Sequence, residues 1–327
     1  MSNMSASIIV TVDKDFDHFK ELLHGIRTQL YQNYEVIFVI LDSCSATINL
    51  VKEFTQNLPK SCTRCEQEIV HGVSNSQMKN LGVDKSTGDL IFFLENNAVW
   101  YPTHIANLVT AHEKFPNCNA YFDCYNEIAD DVMGYRIFKI DTDPNLYNTC
   151  NYFTLYWRMK YHLPKLSFMA FPAAVVKRER FLENANVFSE VDLICRTAIH
   201  SCMGYANIIN GNYYSEPNAA EKSSPKIPAK IPAEYWLWGN WKDNPIVHFY
   251  TFEMLIKTIR YNFEAGFKDV AKEQIKRCPP LPTHYSGLRN RLRFTLLKLH
   301  ISRKFPLVSD DYRTAVDDCL IDMSEVL

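Results

Sequence analysis

At 327 residues the chain can fill one large domain or two ordinary ones, and 35 basic against 37 acidic side chains leave a formal charge of -2, which excludes a global electrostatic trap for nucleic acid. Its 47% hydrophobic and 22% charged residues exclude a disordered chain and describe a soluble globular one. Of 10 cysteines only Cys62 and Cys65 form a C-x-x-C pair, with no second pair or His pair at zinc-ligand spacing, so free thiols in a reducing compartment are expected.

The opening MSNMSASIIV has no basic stretch ahead of a long apolar run, and no window approaches ~18 apolar residues, so the expected location is cytoplasmic, at most peripheral to a membrane. Ser7–Val12 is a short β-branched run, too apolar for an exposed strand, and reads as a central parallel strand ending at Asp13. Phe19, Leu22, Leu23, Ile26 and Leu30 make a helical stripe, and Glu35–Leu41 is a second buried strand closed by Asp42. Thr47–Asn57 reads as a helix, Glu68–Val70 as a short third strand and Ser74–Gly82 as a further helix. Asp89–Leu94 is a buried strand that stops at Glu95, Asn96 and Asn97, and Pro102–Phe115 is a helix with Pro102 in its first turn. Alternating β and α elements predict an α/β fold, a mostly parallel sheet with helices on both faces.

After residue 120 the pattern loosens. Tyr121–Asn126 and Gly134–Ile140 read as strands, Tyr147–Tyr161 is aromatic, and Phe168–Val176 is one apolar run. Glu190 and Asp192 open a helix whose apolar face is read as Val191, Ile194, Cys195 and Ala198; acids in a first turn suit the helix dipole, which is by itself a structural reason for both. The expected organisation is a domain at 1–215, a proline-punctuated linker at 216–234 and a mainly helical C-terminal region at 235–327. In that region Tyr235, Trp236, Trp238 and Trp241 suit either a domain contact or sugar stacking, and Ile246–Phe263 and Phe267–Arg277 read as helices. His284–Phe305 carries Arg289, Arg291, Arg293, Lys298, Arg303 and Lys304 among apolar residues, which suits either an anionic membrane surface or packing with a solvated basic face.

Polar residues outside the carboxyl ends of sheet strands are where open α/β folds hold ligands. The segment SIIVTVDKDFDHFKELLHGIRTQLYQNYEVIFVILDS is similar to the opening of family 2 glycosyltransferases, with their strand, helix, Q-x-Y-x-N-x-E turn and second strand. KNLGVDKSTGDLIFFLENNAVWYPTHI resembles that family's RNxGxxxAxGxYIxFLDxDDxWxPxxL, and FSEVDLICRTAIHSCMGY resembles its EDxDLxxRxxxxG. The resemblance, carried by the first 215 or so residues, implies a GT-A type, Rossmann-like nucleotide-sugar fold and transfer from a nucleotide-diphosphate sugar to a glycan or other hydroxyl acceptor. It implies inversion by single displacement, assisted by Mn2+ or Mg2+.

Carried over by position, the resemblance places Thr11, Asp13 and Asp42 around the nucleoside and Lys79 near base or phosphates, where the family usually has Arg. Glu95, Asn96 and Asn97 stand at the Asp-x-Asp motif, Glu95 and Asn96 toward the donor, Glu95 and Asn97 as metal ligands. Glu190 stands at the catalytic base. Asn97 offers a neutral oxygen where the family has an acid, and Glu190 is one methylene longer than Asp; these changes motivate a second reading, a non-catalytic sugar- or nucleotide-binding module.

Overall fold

The computed structural model describes residues 4–129, 134–140, 145–158, 164–183, 189–199, 201–215 and 245–277, which fall into two compact units divided between 215 and 245. The linker at 216–234, the aromatic cluster Tyr235–Trp241 and the basic segment 284–305 lie outside the described residues.

In the first unit, β1 (Ala6–Val12), α1 (Phe19–Arg27), β2 (Tyr34–Leu41), α2 (Ser45–Gln56), β3 (Cys62–Val70), α3 (Asn75–Lys85) and β4 (Leu90–Glu95) alternate along the chain. Then come β5 (Ala98–Trp100), α4 (His104–Lys114), β6 (Ala120–Ala129), β7 (Gly134–Phe138), β8 (Tyr147–Cys150) and α5 (Tyr152–Arg158). A 3-10 turn (Leu166–Phe168), β9 (Met169–Pro172), α6 (Ala173–Glu179), α7 (Ser189–Ala198) and β10 (Met203–Ser215) complete it. Among the described residues the strands form one sheet, β3-β2-β1-β4-β9-β6-β10-β5, with β7 beside β6 and β8 beside β10. The block β3-β2-β1-β4 is parallel, as is the pair β6 and β10, whereas β9 runs antiparallel to both its neighbours. The expected α/β architecture, a mostly parallel central sheet flanked by helices, is present.

β1 is buried along its whole length and β2 along all but its last residue, as their β-branched runs require of central strands. Each large apolar side chain so buried contributes roughly 1.5–3 kcal/mol. Gln29 through Glu35 form a clasp around the sheet's lower edge. The Gln29 amide donates to Tyr101 O at 2.8 Å and its Oε1 accepts from Ile105 N, while Tyr31 and Asn33 both donate to Met4 O. The buried Glu35 carboxylate accepts from Ser7 Oγ, Thr87 N and Arg64 Nη1, each at 2.6 Å, fixing the turn that leads into β4. A second buried polar group ties α4 to the far half of the sheet: His104 Nδ1 lies 2.7 Å from Asp123 Oδ2, which also accepts from Asn210 Nδ2 at 2.7 Å. Burial raises the Asp123 pKa even with His104 beside it.

Four expectations are corrected. β3 spans Cys62–Val70 rather than three residues, because it is an edge strand whose polar outward residues mask the alternation. Helix α1 ends at Arg27, so Leu30 lies beyond its apolar stripe and is 62% exposed. The run Phe168–Val176 is divided between turn, strand and helix, because Pro172 lacks the N–H to continue a ladder and Ala173 N turns to Asp89 O at 2.9 Å to start α6. On α7 it is Leu193 that is buried, while Val191 is half-buried.

The second unit contains α8 (Pro245–Glu264) and α9 (Lys268–Arg277), close to the helices expected there. They are joined through Gly266, whose φ of 92° is the left-handed conformation that ends a helix, and a buried Asn262–Gln274 hydrogen bond of 2.9 Å connects them. No described helix is long and apolar enough to cross a membrane.

Helix α3 lies directly on β1 because residue 82 has no side chain: a Cβ there would sit 2.3 Å from Ile9 Cγ2. Gly82→Ala is therefore expected to destabilise the protein by about 1–3 kcal/mol through overpacking, read as a lower denaturation midpoint; an unchanged midpoint would show that α3 can lift off β1 without cost.

Candidate active site

The parallel block sets its strand ends on one edge. β1 and β4 pair with Thr11 opposite Glu95, so the two strands end within one residue of the same level. Thr11 is buried there, and Asp13 follows in the exposed turn, where its carboxylate accepts from Asn75 Nδ2 at 3.5 Å. Just after β2, Asp42 Oδ2 lies 2.8 Å from His71 Nδ1. The loop after β1 is held by Asp15, which accepts from Thr47 N at 3.0 Å near the start of α2.

Lys79 reaches this edge from α3. The helix begins with a capping box in which Ser74 Oγ accepts from Gln77 N and Gln77 Oε1 accepts from Ser74 N. One turn on, the Lys79 side chain is 1% exposed, and its ammonium donates to Glu95 Oε1 at 2.9 Å and also to Glu190 Oε1. Glu95 ends β4, whereas Glu190 sits in the first turn of α7. That helix is anchored by Arg196, which pairs with Asp192 at 2.8 Å and donates to the carbonyls of Glu179 and Arg180. Residues remote in sequence are thus brought together around one ammonium.

The electrostatics follow from two carboxylates sharing one cation. Burial first, then the adjacent Glu190 charge, push Glu95 up to about 8. Burial also opposes ionisation of Glu190, yet the Lys79 ammonium and a hydrogen bond from Glu95 hold it below the usual carboxylate range. The two shifts run in opposite directions, so the proton favours Glu95 and the charge favours Glu190.

The two residues between β4 and β5 divide their tasks. Asn96 is 7% exposed and its amide donates to Lys14 O at 2.9 Å, fastening the β1 loop. The Asn97 side chain hydrogen-bonds Tyr213, while its Oδ1 is buried and accepts no hydrogen bond among the described residues. Glu95 and Asn97 together offer one carboxylate and one unclaimed neutral oxygen. That set fits a hard divalent cation whose remaining ligands come from phosphate oxygens, although no described cluster gathers three or more His, Cys, Asp or Glu side chains.

Sequence reasoning missed Lys165, Ser167, Tyr213 and Tyr214. Ser167 Oγ accepts from Glu95 N at 3.1 Å, and Tyr214 N donates to Asn97 O at 2.9 Å. Burial, then the Glu95 charge, raise the Tyr213 phenol above the usual tyrosine range. These residues belong to no local motif, and only the pairing of β10 with β5 brings the two tyrosines to the site.

Residues 7–179, more than half of the chain, match the family described as Glycosyl transferase family 2. The chain belongs to glycosyl transferase family 2. No curated protein sequence matches it. Among solved structures, residues 1–349 of S. aureus TarS in complex with UDP-GlcNAc superpose with a TM-score of 0.60 at 12% identity, covering 94% of this chain and 95% of that one. The same TarS fragment in complex with UDP gives 0.53 at 12% identity with the same coverage, and TarS itself gives 0.53 at 12% over 95% of this chain and 54% of that one. At such identities the likeness shows the fold, and it spans more of the chain than the family 2 match. Glu95 lies within the matched residues and Glu190 lies beyond them.

The Glu95 proton has a consequence for stability. Its folded pKa of about 8 lies above the ordinary value of 4.5, so the folded state binds a proton that the unfolded chain releases, and this residue's share of stability is lost as pH rises through that interval. The denaturation midpoint of ligand-free protein is expected to fall more steeply between about pH 5 and 8 than that of Glu95→Gln. Parallel curves would place the shared proton elsewhere.

Proposed function

We propose that this chain transfers a sugar from a nucleoside-diphosphate donor to a hydroxyl acceptor, with a glycan as the natural acceptor class, by an inverting single displacement. The observation that carries the reading is the Lys79 bridge, which joins a carboxylate at the donor-side strand end to a second, ionised carboxylate on α7. Thr11, Asp13 and Asp42 line the edge where the nucleoside would lie, and Glu95 and Asn97 would hold Mn2+ or Mg2+ beside the diphosphate. When bound, such a cation supplies charge neutralisation to the leaving group.

In this reading Glu190 is the base. The acceptor oxygen attacks the anomeric carbon, the bond from that carbon to the diphosphate oxygen breaks, and the hydroxyl proton passes to Glu190. A carboxylate held ionised by Lys79 is a weak base, which suits a proton transfer that occurs late, after the acceptor oxygen has become acidic by bonding to carbon. Lys79 keeps Glu190 charged and positioned; Asn96 acts on the donor indirectly, through the β1 loop it fastens. The non-catalytic reading is favoured by the neutral Asn97 and by the way one ammonium engages both carboxylates. Sugar release from a panel of UDP- and GDP-sugars separates the two, since turnover of any donor is incompatible with an inert module.

Glu190→Gln is expected to lower transfer by roughly 10²–10⁴-fold while leaving donor affinity near that of the wild type. Full activity in that variant would remove Glu190 from the chemistry. Asn97→Asp adds an anionic ligand and is expected to strengthen Mn2+ binding in a calorimetric titration, because affinity at oxygen sites follows ligand charge. A cation affinity insensitive to this change would mean that residue 97 is not a ligand.

A further inference from the structure

We propose that Lys165 is a catalytic cation of this transfer, meeting the donor diphosphate beside Tyr213 and supplying positive charge at the place where Asn97 recruits a cation only weakly. The assignment rests on the donor-site reading above.

Among the described residues Lys79 and Lys165 approach the site, and of the two Lys165 has capacity to spare. Lys79 is buried and engaged by two carboxylates that belong to the site's own framework. Moving it toward a phosphate would strip Glu95 and Glu190 of their shared counterion, which in a buried setting is costly. Lys165 differs on each point. Its ammonium lies 4.6 Å from the centre of the Tyr213 ring and meets Glu127 only at 3.9 Å, outside hydrogen-bonding distance, with its side chain 35% exposed. Among the described residues this ammonium, with three donors, has no acceptor within hydrogen-bonding distance, which suits it to an anion.

Its backbone, by contrast, is held firmly. Phe168 N closes a turn onto Lys165 O at 2.9 Å, Ser167 Oγ accepts from Glu95 N, and Ser167 O accepts from the Trp100 indole at 2.5 Å. Phe168 stacks on Tyr125 at 4.7 Å. The turn carrying Lys165 is thus bolted to the β4–β5 corner that presents Glu95 and Asn97. Tyr213 sits opposite Ala98 of β5 and opposite Glu127 of β6, and its hydroxyl bonds the Asn97 side chain. A diphosphate beside Asn97 would therefore lie within the swing of the Lys165 stem, and charge-assisted contact with a phosphate is stronger than the cation–ring contact it replaces.

The test is calorimetric titration of the full chain with UDP, GDP and uridine, with Mg2+ and again with EDTA, followed by turnover of a UDP-sugar. Lys165→Met keeps most of the stem and its packing on Tyr213 but removes the charge. It is expected to weaken nucleoside diphosphate binding by about tenfold or more and to lower kcat, with uridine affinity within about twofold and with the larger loss in EDTA. Lys165→Arg is expected to restore most of both. Equal UDP and GDP affinities in wild type and Lys165→Met overturn the assignment while leaving the donor reading intact. A loss shared equally by the Met and Arg variants assigns the effect to packing and also overturns it. Wild-type protein that binds neither diphosphate overturns the donor reading and the assignment with it.

Discussion

One buried ammonium is the interaction on which the site depends. A lysine side chain taken out of water costs several kcal/mol unless it is paired, and Lys79 is paired twice, with acids from a strand and from a distant helix. Around it, α3 works as a hub rather than as an ordinary amphipathic helix. Lys79 points into the site, Asn80 exchanges two hydrogen bonds of 2.9 Å with the backbone of Phe181, and Gly82 lets the helix touch β1. About one turn of a short helix thus fixes the Glu95 strand end, the segment at Phe181 and the centre of the sheet. A helix whose inward face is spent on polar contacts depends on its capping box and on tertiary packing for its existence.

The parallel block was legible because its strands are buried on both faces, so that SIIVTV and EVIFVIL needed no alternation to be recognised. The landmark Gln29–Glu35 was equally legible as a pattern, but its role was not. Each of its polar side chains turns out to secure the sheet: Gln29 the start of α4, Tyr31 and Asn33 the approach to β1, and Glu35 the turn before β4. A motif read from sequence records that a constraint exists without stating whether ligand or backbone imposes it. Asn96 shows the same distinction within the site, since its amide serves the Lys14 carbonyl.

What remained hidden depends on contacts between segments far apart in the chain. Lys165 and Ser167 precede an apolar run that looks uniform in sequence, and only the antiparallel insertion of β9 between β4 and β6 sets that turn against Glu95. Tyr213 and Tyr214 alternate along β10, one toward Asn97 and the other stacked on His18 at 4.2 Å, a division fixed by pairing with β5. The length of β3 was hidden for a different reason. Its outward residues include Arg64, which is spent on the Glu35 network, so an edge strand reads as a polar loop.

The neutral residue at 97 can be understood from the same charge balance. With Glu95 and Glu190 facing one buried ammonium, a single proton on the pair is enough to balance their charge. An aspartate at 97 would add a third acid beside a single buried lysine, and like charges in low dielectric repel strongly. Asparagine retains an oxygen that can ligate while removing that penalty, so the geometry of α3, β4 and α7 does not depend on a bound ion to hold it. In the proposed transfer the cost of this arrangement would fall on the departing diphosphate, which would meet less fixed positive charge at the strand end. A positively charged side chain anchored at the β4–β5 corner is then the simplest way for this fold to recover it.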